Sequence, residues 1–184
     1  MVKKLLIIGD SFSASTDVNS WCQSFDGFET HNMSMSGSSE YRLIKQINSL
    51  DTSKYHRVIF VHTSPNRIYV EQNPYYQCSN THNNCDLIFQ DIHARLPDPY
   101  AANVVWWFEN VFDLEQAMFN HNLLIDYALK KLPDALHLTF FDYTYPGVHS
   151  LYKIWKANPG AINHMNVAGN QAVITVLKNI WNTQ

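Results

Sequence analysis

No stretch of the chain approaches the roughly 18 uninterrupted apolar residues that a membrane-spanning helix needs. The opening Met1-Val2-Lys3-Lys4 leads into an apolar run of only Leu5 to Ile8 before Gly9, too short for a secretory h-region. The apolar stretch from Ala101 to Phe108 is broken by Asn103 and ended by Glu109. Charge of one sign is also scarce. Lys plus Arg number 13 against 16 Asp plus Glu, a net charge of −3, which offers no field for holding a polyphosphate and sets nucleic acid aside as the expected main partner. The three cysteines, Cys22, Cys78 and Cys85, are too few and odd in number for a disulfide scaffold and are expected as free thiols in a reducing compartment. Internal repeats and low-complexity tracts are missing as well. These absences lead to the expectation of a cytoplasmic protein with no membrane and no nucleic-acid partner; they leave the oligomeric state open.

What is present is the composition of one globular domain: 184 residues, 46% hydrophobic and 16% charged, enough chain to bury a substantial core. Lys4 to Ile8, Arg57 to Val61 and Leu136 to Phe141 are short runs rich in Ile, Val, Leu or Phe, apolar on both faces as strands of a covered parallel sheet must be. Glu29 to Ser34 is a weaker fourth strand. Helical spacing predicts helices over Ser38 to Leu50, Leu114 to Leu132 and Val167 to Trp181, the last behind an Asn166 cap. Strands alternating with helices predict an α/β fold, a three-layer α/β/α sandwich with a mostly parallel central sheet. Residues 69–110 break the alternation with Pro74, Pro97, Pro99 and a polar run from Ser79 to Asn84. They are expected to form an irregular insertion in a single domain spanning 1–184, and a loop of that length is more often a lid or binding loop than a connector.

Two segments carry chemistry. Gly9-Asp10-Ser11 ends the first strand, at the carboxyl edge where open parallel sheets bind ligands. Alone, Asp10 and Ser11 read as a helix cap. Near the other end, His164 stands just before the last helix in Asn163-His164-Met165-Asn166, and a serine hydroxyl needs such a base within reach to become a nucleophile.

Together these segments resemble the SGNH (GDSL-type) hydrolases, whose first block GDS follows the first strand and whose last block, DxxH, precedes the final helix. Asn32-Met33-Ser34-Met35-Ser36-Gly37 is similar to the family's second block. The resemblance covers most of the chain outside the insertion. It implies a flavodoxin-like sheet, Ser11 as nucleophile, His164 as general base, and an oxyanion hole from the N–H groups of Ser11 and Gly37. A glycine suits that role because no side chain then obstructs the substrate oxygen.

Two blocks depart from the family. Where it writes G-x-N-D, this chain has His62-Thr63-Ser64-Pro65-Asn66-Arg67. Ser64 stands in place of the oxyanion asparagine, with Asn66 two positions later as the alternative donor. Three residues before His164, Ala161 replaces the aspartate, leaving either a Ser11–His164 dyad or lost chemistry; a backbone carbonyl near Asn158-Pro159-Gly160, or Asp142, are the candidates for orienting the ring. Arg67 suits an anionic part of a substrate, or a surface ion pair. His62 at the strand end and Tyr75 are expected at the substrate, with Tyr76 and Trp106 beside them. Cys78, His82 and Cys85 do not have the paired spacing of structural zinc, so no metal and no cofactor are expected. The aromatic run Trp106, Trp107, Phe108 and Phe112 reads as packing of the insertion on the sheet.

The expected function is therefore a serine esterase or deacylase acting on a small-molecule or glycan ester. The alternative is a non-catalytic binding module on the same fold, and a Mg²⁺ phosphoryl-transfer site ranks last because no second carboxylate block ends a strand.

Overall fold

Leu5, Leu6, Ile7 and Ile8 are all fully buried, because their strand lies between two neighbours and is covered on both faces. That strand is β1 (Lys3–Ile8), and it pairs with β2 (Phe28–Asn32) on one side and β3 (Arg57–His62) on the other. The computed structural model describes residues 2–15, 17, 19–23, 25–74, 85–160 and 164–182. Within them, β6 (Leu136–Thr139) and β7 (His149–Ser150) complete a five-stranded sheet in the order β2-β1-β3-β6-β7, every neighbouring pair parallel.

Helices cover both faces, giving three α/β/α layers. Leu6, Ile8 and Phe60 point toward Leu43, Ile44 and Ile47 of α1 (Glu40–Ser49) and Ala128 of α4 (Leu114–Lys131). The alternate residues Leu5, Ile7, Ile59, Val61 and Leu138 pack with Trp21, Phe25, and Val173 and Leu177 of α6 (Val167–Asn182). The caps have local causes. The side chains of Ser39 and Asp113 accept from the N–H groups of Arg42 and Gln116, and Asn166 Oδ1 accepts from Gly169 N at 2.9 Å, satisfying amides that a helix start leaves unpaired.

The expected strands and long helices are all present, shifted by a residue or two at their ends. On α4 the apolar stripe is covered only from His121 onward, and Leu114 and Met118 are exposed.

The described residues of the 69–110 segment, 69–74 and 85–110, are more ordered than expected. β4 (Arg67–Ile68) pairs antiparallel with β5 (Leu87–Ile88), followed by α2 (Phe89–His93) and α3 (Pro99–Asn110). Asp98 caps α3 by accepting from Tyr100 N and Ala101 N at 3.0 and 3.1 Å, and Pro99 in the first turn gives up an N–H that had no partner there. Leu87, Ile92, Ala101, Val105 and Phe108 form a core of their own, joined by Trp107 and Phe112. The aromatic run thus packs the segment on itself rather than on the sheet, and Trp106 is exposed. A short α5 (Tyr152–Ala157) is a further element that periodicity did not reveal. Among the described residues no helix is long and apolar enough to cross a membrane.

Candidate active site

The sheet order reverses between β1 and β3, since β2 lies on the far side of β1 while the chain continues outward through β3, β6 and β7. Loops leaving the carboxyl ends of β1 and β3 therefore splay apart, and a crevice opens between them. A cavity of about 1160 Å³ lies there, and its wall includes Ser11, Gly37, Ser64, Asn66, Arg67 and His164.

Ser11 is held at this edge by a tight turn. Ser13 N donates to Asp10 O at 3.1 Å, and Phe12 N donates to Asp10 Oδ1 at 3.0 Å. Gly9 lets the turn lie against β3, because a Cβ there would come within 2.6 Å of Val61 Cβ. Asn32, at the end of β2, ties the next loop to this one: its Nδ2 donates to Ser13 O at 2.6 Å, while its Oδ1 accepts from Ser34 N at 3.0 Å.

Gly37 has φ +73°, a left-handed conformation that side chains other than glycine rarely accept. Cys85 fills the space beside it, and its thiol donates to Ser36 O at 3.0 Å. Burial, with Asp91 and Asp86 adding to it, pushes that thiol up to about 11, so it remains protonated and serves as packing. Among the described residues, neither the Ser11 nor the Gly37 backbone N–H donates to a protein acceptor.

Ser64 and Asn66 reach the wall from the turn after β3. Asn66 is exposed, and its N–H donates to Ser64 Oγ at 3.3 Å. Arg67 is turned inward. Its Nη1 lies 2.9 Å from Asp10 Oδ2 and donates to Ser38 O at 3.1 Å, with the guanidinium over the Phe141 ring at 5.3 Å. Its charge is matched by Asp10 in an ion pair at the cavity wall, which the guanidinium also lines.

His164 approaches from the turn before α6, where Gly160 N donates to His164 O at 2.6 Å. Its ring stacks on Phe12, centroids 5.7 Å apart and planes at 27°. Phe12 is itself clamped by Phe140, Phe141 and Trp155. The ring makes no hydrogen bond to another described residue, so stacking fixes its plane. Burial holds the imidazole below its ordinary value, Asp10 acting upward and Arg67 downward. His164 and Phe12 also border a second cavity of about 400 Å³, where the hydroxyl and amide side chains of Ser15, Asn19, Ser20 and Asn170 stand beside Met165 and Val167. His164 thus stands between two spaces, and the oxyanion candidates border only the larger.

Other expected residues fall elsewhere. His62 is fully buried and does not reach the cavity: Nδ1 lies 2.7 Å from Glu40 Oε1 and Nε2 lies 2.9 Å from His137 Nδ1. It belongs to the interior because β3 continues one residue past Val61 beneath α1. Asp142 is exposed and not in the wall, and neither is Trp106. Tyr75, Tyr76, Cys78, His82 and Ala161 lie outside the described residues.

The remaining wall of the larger cavity was not anticipated. Phe141 and Trp155 form an apolar side, and Gln90, Asp91 and Arg95, from α2 and the turn after it, form a polar one. Behind it, Asp86 accepts from Arg42 Nη2 at 2.6 Å, Arg42 Nε at 3.1 Å and Ser39 N at 2.7 Å. That forked contact pins the inserted segment to the start of α1. Among the described residues no cluster of His, Cys, Asp and Glu is disposed to hold a metal ion. A scan against protein-family models gave no match, and searches of curated proteins and of solved structures gave none either.

Proposed function

We propose that the chain is a serine esterase or deacylase of the SGNH type. The observation that carries this reading is the convergence of Ser11, His164 and two uncommitted N–H groups, those of Ser11 and Gly37, on one cavity at the reversal point of a parallel sheet. In this mechanism Ser11 Oγ attacks the ester carbonyl and gives its proton to His164. The carbonyl oxygen becomes an oxyanion held by the two backbone N–H groups and a donor from Ser64 or Asn66. Collapse of the tetrahedral intermediate breaks the ester bond, and the leaving alcohol takes the proton from His164. A water then repeats the sequence on the acyl-enzyme.

The two cavities fit the two halves of an ester. The leaving oxygen must meet the imidazole, and His164 also borders the smaller cavity, whose wall carries Ser15, Asn19, Ser20 and Asn170. A polyhydroxylated alcohol such as a sugar suits that lining, and the acyl part suits the side bearing Phe141 and Trp155. The buried thiols Cys22 and Cys85 fit a cytoplasmic setting.

A second reading is favoured by one observation, the absence of a carboxylate bonded to the His164 ring among the described residues: the site binds its ligand without turning it over. A fluorophosphonate probe distinguishes the two. The hydrolase reading expects labelling of the wild type and none of Ser11→Ala. Wild type left unlabelled from pH 6 to pH 9, with folding intact, assigns the chain to the binding module.

A further inference from the structure

We propose that Asp10 and Arg67 are a balanced pair of positioning residues for His164, Asp10 supplying the negative charge that an imidazolium requires and Arg67 offsetting it so that the resting ring stays neutral. This rests on the reading of His164 as the base.

The geometry is as follows. The Asp10 carboxylate is fully buried, and both of its oxygens are engaged: Oδ1 by Phe12 N at 3.0 Å, Oδ2 by Thr63 Oγ1 at 3.1 Å and by Arg67 Nη1 at 2.9 Å. The residue whose amide grips Oδ1 is the one whose ring carries His164. A single residue, Phe12, therefore links the carboxylate to the imidazole plane. Arg67 completes the arrangement by spanning two loops, since the same Nη1 that faces Asp10 donates to Ser38 O beside Gly37.

A carboxylate bonded to the imidazole would do two things, orient it and stabilise its charged form. Here the functions are divided: Phe12 orients the ring by stacking, and the buried Asp10 carboxylate acts on it through space. An unopposed Asp10 would favour the protonated ring and work against the burial that keeps it a base. Arg67 offsets that pull. The other charged groups around His164 are Asp91 and Arg95 across the larger cavity and Asp17 on the smaller one. Neither Asp91 nor Arg95 is buried, and Asp17 is exposed, so water screens all three more than the buried pair.

Titration of the His164 Cε1 proton by NMR tests this, with the signal assigned by its loss in His164→Gln. Arg67→Met is expected to move the midpoint up and Asp10→Asn to move it down. The Asp10→Asn/Arg67→Met double variant returns it toward the wild type, and Arg67→Lys, which keeps the charge, leaves it near the wild type. A merely structural pair would give shifts of the same sign or none, and either result in folded protein overturns the proposal. Should Asp10→Asn not fold, the contrast between Arg67→Met and Arg67→Lys decides alone. The rate of Ser11 labelling by the fluorophosphonate, followed against pH, is expected to move its acid limb in step with each midpoint. Opposed NMR shifts without any labelling of wild-type Ser11 would leave the charge balance standing and remove the hydrolase reading instead.

Discussion

His62 Nε2 lies 2.9 Å from His137 Nδ1 inside the sheet, and this contact fixes the protons on both rings. His137 Nε2 faces the carbonyl of Leu132 at 3.0 Å and must donate to it. Burial pushes His137 down to about 4, so at neutral pH its Nδ1 bears no proton and accepts from His62. The other nitrogen of His62 faces Glu40 at 2.7 Å. Burial works against the charge on Glu40, yet His62, with His121 beside it, holds its carboxyl well below the usual carboxylate range. Glu40 and His62 thus form a buried, hydrogen-bonded carboxylate–imidazole pair between α1 and β3.

The first prediction follows from His137. Its folded value lies below its unfolded one, so between pH 6.5 and about 4 the unfolded chain binds a proton that the native chain refuses, and stability falls as pH falls through that window. The loss is on the order of 3 kcal/mol at the acid end. Glu40 adds a further loss at still lower pH, as its own depressed group is finally protonated. Urea unfolding from pH 7 to pH 4 measures the slope. His137→Gln, which offers an acceptor to His62 and a donor to Leu132 without titrating, is expected to flatten it.

Glu40→Gln isolates the other partner. The substitution removes one partner of the buried Glu40–His62 pair, a change that typically costs about 3–5 kcal/mol. The effect extends to the site, because Glu40 Oε2 also accepts from Thr63 N at 3.1 Å and the Thr63 hydroxyl donates to Asp10. Chemical denaturation is expected to show the loss of stability, and the folded variant is expected to react with a fluorophosphonate more slowly than the wild type.

Gly37→Ala tests the left-handed turn that presents the second N–H. A Cβ at this position would lie 2.7 Å from both Cβ and Sγ of Cys85, in addition to the roughly 1–3 kcal/mol of strain for a non-glycine residue at such a φ. Gly27→Ala is the control, since its φ is +82° and nothing lies within 4 Å of the added atom. Gly37→Ala is expected to lower the urea midpoint more than Gly27→Ala and to abolish turnover of an aryl ester, whereas Gly27→Ala keeps turnover. Equal destabilisation by the two would show that Cys85 yields without cost.

The layers of this fold were legible because β1 and β3 are apolar on both faces and the long helices carry 3.6-residue stripes. The inserted segment was not, because its helix α3 is apolar nearly all round, with Val104, Val105, Trp107 and Phe108 together in its own small core, and periodicity cannot show a face that is not confined to one side. The Asp98-Pro99 pair was the signal available for its start. Ser11, Gly37 and His164 were singled out by order and type along the chain, and the structure brings them to one cavity wall. The roles of Arg67 and His62 were not, since a sequence shows that a residue ends a strand but not whether its partner comes from the cavity or from a helix behind it. Asp10 and Glu40, distant in sequence from Arg67 and His62, decide both cases.

The last prediction concerns the third oxyanion donor. Ser64 and Asn66 both border the cavity, but the Ser64 oxygen already accepts from Asn66 N at 3.3 Å, which shapes the turn and ties the hydroxyl to a structural task. The Asn66 side chain has no such tie among the hydrogen bonds of the described residues, and its amide carries two donors that need no rotor to choose between giving and accepting. Pro65 biases Ser64 toward an extended conformation and so helps to bring Asn66 round. Asn66→Ala is therefore expected to lower kcat by about 10²–10³-fold, the usual effect of removing one such donor, with little change in KM, because the bond strengthens only as the oxygen becomes charged. Ser64→Ala loses the turn contact alone and is expected to cost much less. Steady-state kinetics of both variants on one short-chain aryl ester settle the ranking, and the opposite order would assign the donor to Ser64.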